Sequence, residues 1–187
     1  MFRHLAFSAM FAALVAFPTV SLAGDHQKHS HHGEHEQPDL PTAAVVVLMP
    51  TEGNQVKGTI TLTKQSEGVH FSGEVTGLTP GEHGFHIHEY GDLRDPAGKS
   101  AGGHFNPTDH KHGSPEDHEH HVGDLGNITA NSEGVATIDI LSKDLKIHFV
   151  LGRAIVVHGE ADDFTSQPSG DAGPRVALGV IGVAEGK

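Results

Sequence analysis

The sequence predicts an all-β domain with many turns, a sandwich or barrel of short strands. Period-two alternation of apolar and polar residues recurs in short runs cut by Gly, Pro and Asn. Helix-period segments are scarce beyond the N-terminus. Glycine occurs 24 times and tryptophan not at all, which suits strands and turns better than packed helices. A length of 187 residues fits one main domain.

In chain order, residues 1–23 read as a secretory signal. Arg3 and His4 form a short basic start, Leu5 to Phe17 is an apolar run, and Ser21-Leu22-Ala23 is a small-x-small cleavage site. The run is too short for a comfortable membrane span. No cysteine stands at the cleavage site to take a lipid, so no stable membrane anchor is expected. The expected product is exported, to a periplasm or to the outside, and starts near Gly24. Residues 24–41 are polar and carry His26, His29, His31, His32 and His35. So little apolar surface cannot fold alone, and the segment reads as a disordered arm able to collect copper or zinc. The folded domain is expected over 42–187.

Within it, Ala43 to Met49 is a β-branched run. Gln55 to Thr63 places Val56, Gly58, Ile60 and Leu62 on one face, and Gly68 to Val75 alternates again. Leu78-Thr79-Pro80-Gly81 turns the chain into a strand carrying His86 and His88. The interval from Asp92 to Val122 is poor in apolar residues, and so long a loop is usually functional. Strands are expected again at 123–129, 134–140 and 153–158. A polar loop follows from Gly159 to Pro174, then a last strand from Val176 to Val183.

Charge and composition exclude some functions. Lys and Arg number 12 against 24 Asp and Glu, a formal charge of -12, so nucleic acid is not an expected partner. Eighteen histidines are a large excess of the commonest metal-ligating side chain. Exported chains usually gain disulfides, yet this one has no cysteine, so packing or bound metal must hold its loops.

The chemistry centres on Gly84-Phe85-His86-Ile87-His88-Glu89-Tyr90-Gly91-Asp92. On a strand His86 and His88 share a face about 7 Å apart, close enough to close on one metal ion, while Phe85 and Ile87 face a core. Downstream lie Gly103-His104-Phe105-Asn106-Pro107, His112, His121-Val122-Gly123-Asp124, and Ala154 to His158 followed by Glu160, Asp162 and Asp163. Gly173-Pro174-Arg175-Val176-Ala177 and Gly179-Val180-Ile181-Gly182 complete the series. These ordered motifs, at matching spacing over residues 43–184, resemble the copper/zinc superoxide dismutases.

The resemblance implies a Greek-key β-sandwich or flattened eight-stranded barrel with two long functional loops. It makes His86, His88, His104 and His158 the copper ligands, and His104, His112, His121 and Asp124 the zinc ligands, with His104 bridging. Four imidazoles suit a tetragonal copper site with an open side. Three histidines and a carboxylate suit a closed tetrahedral zinc site. Asp162 matches the carboxylate that bonds the far nitrogens of His86 and His112 and so fixes both rings. Arg175 matches the arginine beside the open copper position, where a guanidinium offers fixed charge and planar donors to a small anion. The implied reaction converts superoxide to dioxygen and hydrogen peroxide, with His104 taking up and returning a proton. Tyr90-Gly91, Leu151-Gly152 and Val180 to Val183 resemble the twofold contact of animal-type members, which makes a homodimer one expected assembly.

The chain also departs from the family. Gly98 and Leu178 stand at the positions of its usual disulfide; a link closing about 80 residues would restrain the unfolded chain by roughly 4–5 kcal/mol on an entropy model. Packing of Leu178, the fixed φ of Pro174 and zinc binding are the expected compensation. The 159–174 loop is short, and Pro168 replaces a lysine found near the channel mouth, with Ser169 expected to line the channel. Anion guidance then rests largely on the metal centre and Arg175. His110, His118 and His120 match no ligand position and read as solvated. Two other readings stay open on the sequence. One is a catalytic zinc held by His-x-His and a distant histidine, which leaves His112, His121, Asp124 and Arg175 without a role. The other is a dismutase-like domain that buffers or delivers copper.

Overall fold

The computed structural model describes residues 39–143 and 145–185. The signal and all but the end of the histidine-rich arm lie outside these residues. Among the described residues nine strands follow one another: β1 Ala43–Pro50, β2 Lys57–Lys64, β3 Gly68–Thr76, β4 Gly81–His88, β5 Asp124–Ala130, β6 Val135–Lys143, β7 Ala154–His158, β8 Arg175–Val180 and β9 Gly182–Val183. One turn of 3-10 helix at Lys99–Ala101 interrupts the long loop, and a single helical turn, Ile147–Val150, precedes β7. The sequence pattern had given no element to that second segment, because four residues are too few to show a helical period.

All pairings are antiparallel, in the order β5-β4-β7-β8-β1-β2-β3-β6, with β9 beside β1. The non-consecutive neighbours β3/β6, β4/β7 and β8/β1 are the Greek-key crossings. β5 and β6 end this order and are also the two arms of one tight turn, where Asn131 N–H donates to the Val135 carbonyl at 2.9 Å. The sheet therefore curls into a nearly closed barrel, which hides most of the edges an open sheet would present.

The alternation read from sequence sets the lining. Val46, Leu48, Ile60, Leu62, Phe71, Phe85, Ile87, Ile138, Ile155 and Val157 are all buried in one cluster. The C-terminal run is broken in two: β8 pairs with β7 and the end of β1, whereas β9 pairs with the start of β1 through Ala44–Val183. Ile181 sits at the break, fully buried, so the chain changes partner while keeping its apolar contact.

Gly98 and Leu178 do meet. Leu178 belongs to a small buried cluster with Ala101, Ala154 and Val156, and a β-carbon at Gly98 would lie 3.2 Å from its Cδ1. The Leu178 methyls thus occupy the space beneath the long loop.

Candidate metal centre

The end of β4 gathers the long loop. Phe105 N–H donates to the Ile87 carbonyl at 2.8 Å, Ile87 N–H to Gly123 at 2.9 Å, and Gly123 N–H to Phe105 at 2.9 Å. Together with the backbone bridge of His88 to His104, these bonds put His104 alongside the His86/His88 strand. Gly123 is needed there, since a β-carbon would overlap the Ile87 carbonyl. His158, at the end of β7, arrives next to β4 because Val156 pairs with His86.

Two donor sets result. His86, His88, His104 and His158 offer nitrogen atoms all within 4.8 Å of one another, and so do the donors of His104, His112, His121 and Asp124. His104 belongs to both. All seven side chains are buried. His86 and His88 are therefore covered by loops and are not on a solvated outer face of the sheet.

Hydrogen bonds fix which nitrogen each ring turns inward. His86 Nε2 lies 2.7 Å from Asp162 Oδ2, leaving Nδ1 toward the first set. His88 Nδ1 faces the Gly102 carbonyl at 3.0 Å and His158 Nδ1 the Gly173 carbonyl at 3.2 Å. Their Nε2 atoms then face each other at 3.4 Å. His104 Nδ1 is 2.7 Å from Asp124 Oδ1. Asp124 Oδ1 also lies 3.1 Å from His112 Nδ1 and 3.3 Å from His121 Nδ1. The second carboxylate oxygen accepts from His121 N–H at 2.8 Å.

Asp162 joins the two sets, since its other oxygen lies 2.9 Å from His112 Nε2. Two residues that sequence reasoning passed over hold it. Asn127 on β5 bonds its backbone on both sides, donating to the Asp162 carbonyl at 2.9 Å and accepting its N–H at 2.8 Å. Gly170, at φ 69°, packs so close that a β-carbon would overlap the Asp162 carboxylate and His112 Nε2. An Asn and a Gly in turn-rich sequence look like ordinary turn formers, so no local signal marks either.

Arg175, half-buried at the start of β8, donates through its two terminal nitrogens to the carbonyls of Gly98 and Gly102. Its charge acts on His88 and His158. Burial lowers its own ionisation from the ordinary guanidinium range, and Asp95 opposes that. His110 and His118 are exposed. His120, half-buried, has its Nδ1 2.7 Å from the His121 carbonyl. None of these three belongs to either donor set.

Electrostatics separate the sets. Burial lowers His86 to a pKa of about 4 and His158 to about 3, and pushes His88 well below its usual value. At His112 burial acts the same way, but hydrogen bonds to Asp124 and Asp162 outweigh it and raise the pKa to about 9. Asp124 and Asp162 stay ionised far below the usual carboxylate range, because their histidine partners overcome the cost of burial. Neutral imidazoles and ionised carboxylates are the protonation states that cations require. The buried nitrogens His86 Nδ1 and His104 Nε2 lack a hydrogen-bond partner, and His112 Nδ1 and His121 Nδ1 crowd onto the one oxygen Asp124 Oδ1 without a well-aligned bond. Orphaned inward nitrogens at this density fit bound metal far better than an empty apolar core.

Fold and donor sets define a class: a Greek-key barrel with two adjacent metal-binding clusters sharing one histidine. The family model for copper/zinc superoxide dismutase matches residues 56–181. The chain is 40% identical over 155 residues to an extracellular Cu-Zn superoxide dismutase of Brugia pahangi, covering 76% of this chain and 77% of that protein. It is 45% identical over 140 residues to Cu-Zn superoxide dismutase 2 of Mesembryanthemum crystallinum, covering 70% and 89%. Among solved structures, the crystal structure of the clock protein EA4 superposes with a TM-score of 0.74 at 42% identity, covering 80% of this chain and 99% of that one. The chain belongs to the copper/zinc superoxide dismutase family.

Proposed function

We propose that this protein dismutates superoxide, with copper in the set His86, His88, His104 and His158 and zinc in the set His104, His112, His121 and Asp124. The observation that carries the reading is His104, which turns Nδ1 to the Asp124 cluster and leaves a buried, partnerless Nε2 toward the other three histidines. Copper, when bound, supplies the one-electron exchange by which one superoxide leaves as dioxygen and a second, with that electron and two protons, leaves as hydrogen peroxide. The residues do the rest. Arg175, held by two loop carbonyls, draws the anion toward His88 and His158 and offers it planar donors. His104 can hold a proton at Nε2 and release it while Asp124 keeps the ring in place. Asp162 locks the His86 and His112 rings from behind. Asp124 closes the zinc set.

Residues 1–23 are read as an export signal, 24–41 as a histidine-rich metal-collecting arm and 42–187 as the dismutase domain. The extracellular relative supports export, to a periplasm or to the outside. No described helix is long and apolar enough to cross a membrane. A homodimer is supported by the exposure of Tyr90 and Val180, at 57% and 37%, beside Leu151 and Gly152, and by the exposure of Val183 at 63%.

The test is superoxide removal by metal-loaded protein. Activity should be abolished by cyanide and cut at least about tenfold by Arg175→Ala, through lost anion guidance. A rate indifferent to both would favour a copper carrier over an enzyme.

A further inference from the structure

His112 is the one histidine of the second cluster that also touches Asp162, and nothing regular holds its backbone. It lies in neither strand nor helix, and its N–H and C=O bond to no other backbone group among the described residues. Both go to a single side chain. His112 N–H donates to Gln167 Oε1 at 3.0 Å, and Gln167 Nε2 donates back to the His112 carbonyl at 2.8 Å. This reciprocal pair copies the exchange between two opposed residues of an antiparallel ladder. It works in one orientation of the carboxamide only, since rotation would set donor against donor and acceptor against acceptor.

The geometry has a consequence for the ring. With its backbone held on both sides, His112 places Nδ1 3.1 Å from Asp124 Oδ1 and Nε2 2.9 Å from Asp162 Oδ1. Gln167 comes from the 159–174 loop, which also carries Asp162, while His112 comes from the long loop that Leu178 and Arg175 hold further along. In a chain without cysteine, the carboxamide is therefore a tie between the two loops at the metal cluster itself. Asn127 uses the same two-sided bonding on Asp162, so both ends of the Asp162–His112 hydrogen bond are held alike.

We propose that Gln167 is a positioning residue for zinc: by bonding both backbone groups of His112 it presets that ring between Asp124 and Asp162. This rests on the reading of His112 as a zinc donor. The test uses the full chain and Gln167→Met, which keeps the length of the side chain and deletes both bonds. Zinc release to a chromogenic chelator should be about tenfold faster, the lower end of what loss of such outer support costs. Cobalt(II) placed in the zinc cluster should show altered visible bands, and the His112 amide should lose protection from hydrogen exchange. Ile138→Val, a core trimming on β6, should lower the melting temperature and leave cobalt bands and zinc release unchanged. Zinc release within twofold of the parent and a still-protected His112 amide in Gln167→Met would overturn the proposal while leaving the metal assignment intact. Unchanged zinc binding in Asp124→Ala would instead overturn the assignment, and the proposal with it.

Discussion

Three of the four histidines in the first cluster ride on barrel strands, and the fourth is stitched to β4 by a backbone bridge. In the second cluster His112 and His121 come from irregular loop, and only Asp124 belongs to a strand. In the first cluster burial keeps His86, His88 and His158 neutral, with carbonyls and one carboxylate behind them. The second places a buried carboxylate among its rings and draws protons onto His112. The same residue type thus serves two ends. A strand-borne, all-imidazole frame suits a centre that changes charge, whereas a set closed by a carboxylate suits one that does not. The price of the second design is that its loop needs outside support, from Asp162, Gln167, Leu178 and Arg175.

The largest expected effect attacks the rigid half. Phe85 is fully buried between Gly84 and His86, and Phe85→Ala should cost about 3–5 kcal/mol of folding stability in denaturant melts. A cost below about 1 kcal/mol would show that the barrel is not the frame of the first cluster. Asp162→Ala attacks the link between the halves. It should weaken zinc binding by about 10–100-fold in chelator competition, and copper binding less, because strands still position His86. Equal losses would erase the contrast between strand-borne and loop-borne sites.

Proton linkage separates the halves in the metal-free protein. His86 and His158, lowered to about 4 and about 3, bind fewer protons than in the unfolded chain once pH falls below 6.5. Their contribution is therefore full above that value and lost as acid is added. His112, raised to about 9, binds more protons than in the unfolded chain between 6.5 and that value. Its contribution is full below 6.5 and is lost as pH rises through about 9. Stability should peak near neutrality, and a steady rise from acid to alkali would show that the second cluster does not titrate this way. The smallest effect concerns steering. Turnover should fall a fewfold as salt is raised, because the screening length shrinks from about 10 Å at 0.1 M to about 3 Å at 1 M. A rate that rises instead would mean that the formal charge of -12 dominates over Arg175.

Much of the barrel was legible because alternation at Ile60, Leu62, Phe85 and Ile87 is local and its period is fixed by the strand itself. The boundary at Ile181 was not, since switching partners along one apolar run leaves no mark on the pattern. Nor were Asn127 and Gln167, whose side chains reach backbone groups 35 and 55 residues away, or Gly170, whose bare α-carbon makes room for a carboxylate 8 residues away.

By itself the sequence determined the strand periods, the absence of any covalent tether, and the inventory of imidazoles and carboxylates, because these depend on residue type and near spacing. Only the tertiary structure decided which nitrogen of each ring turns inward, and that a glutamine carries the backbone of His112. Those choices follow from hydrogen-bond partners supplied by distant loops, and a partner's direction exists only once the chain has folded.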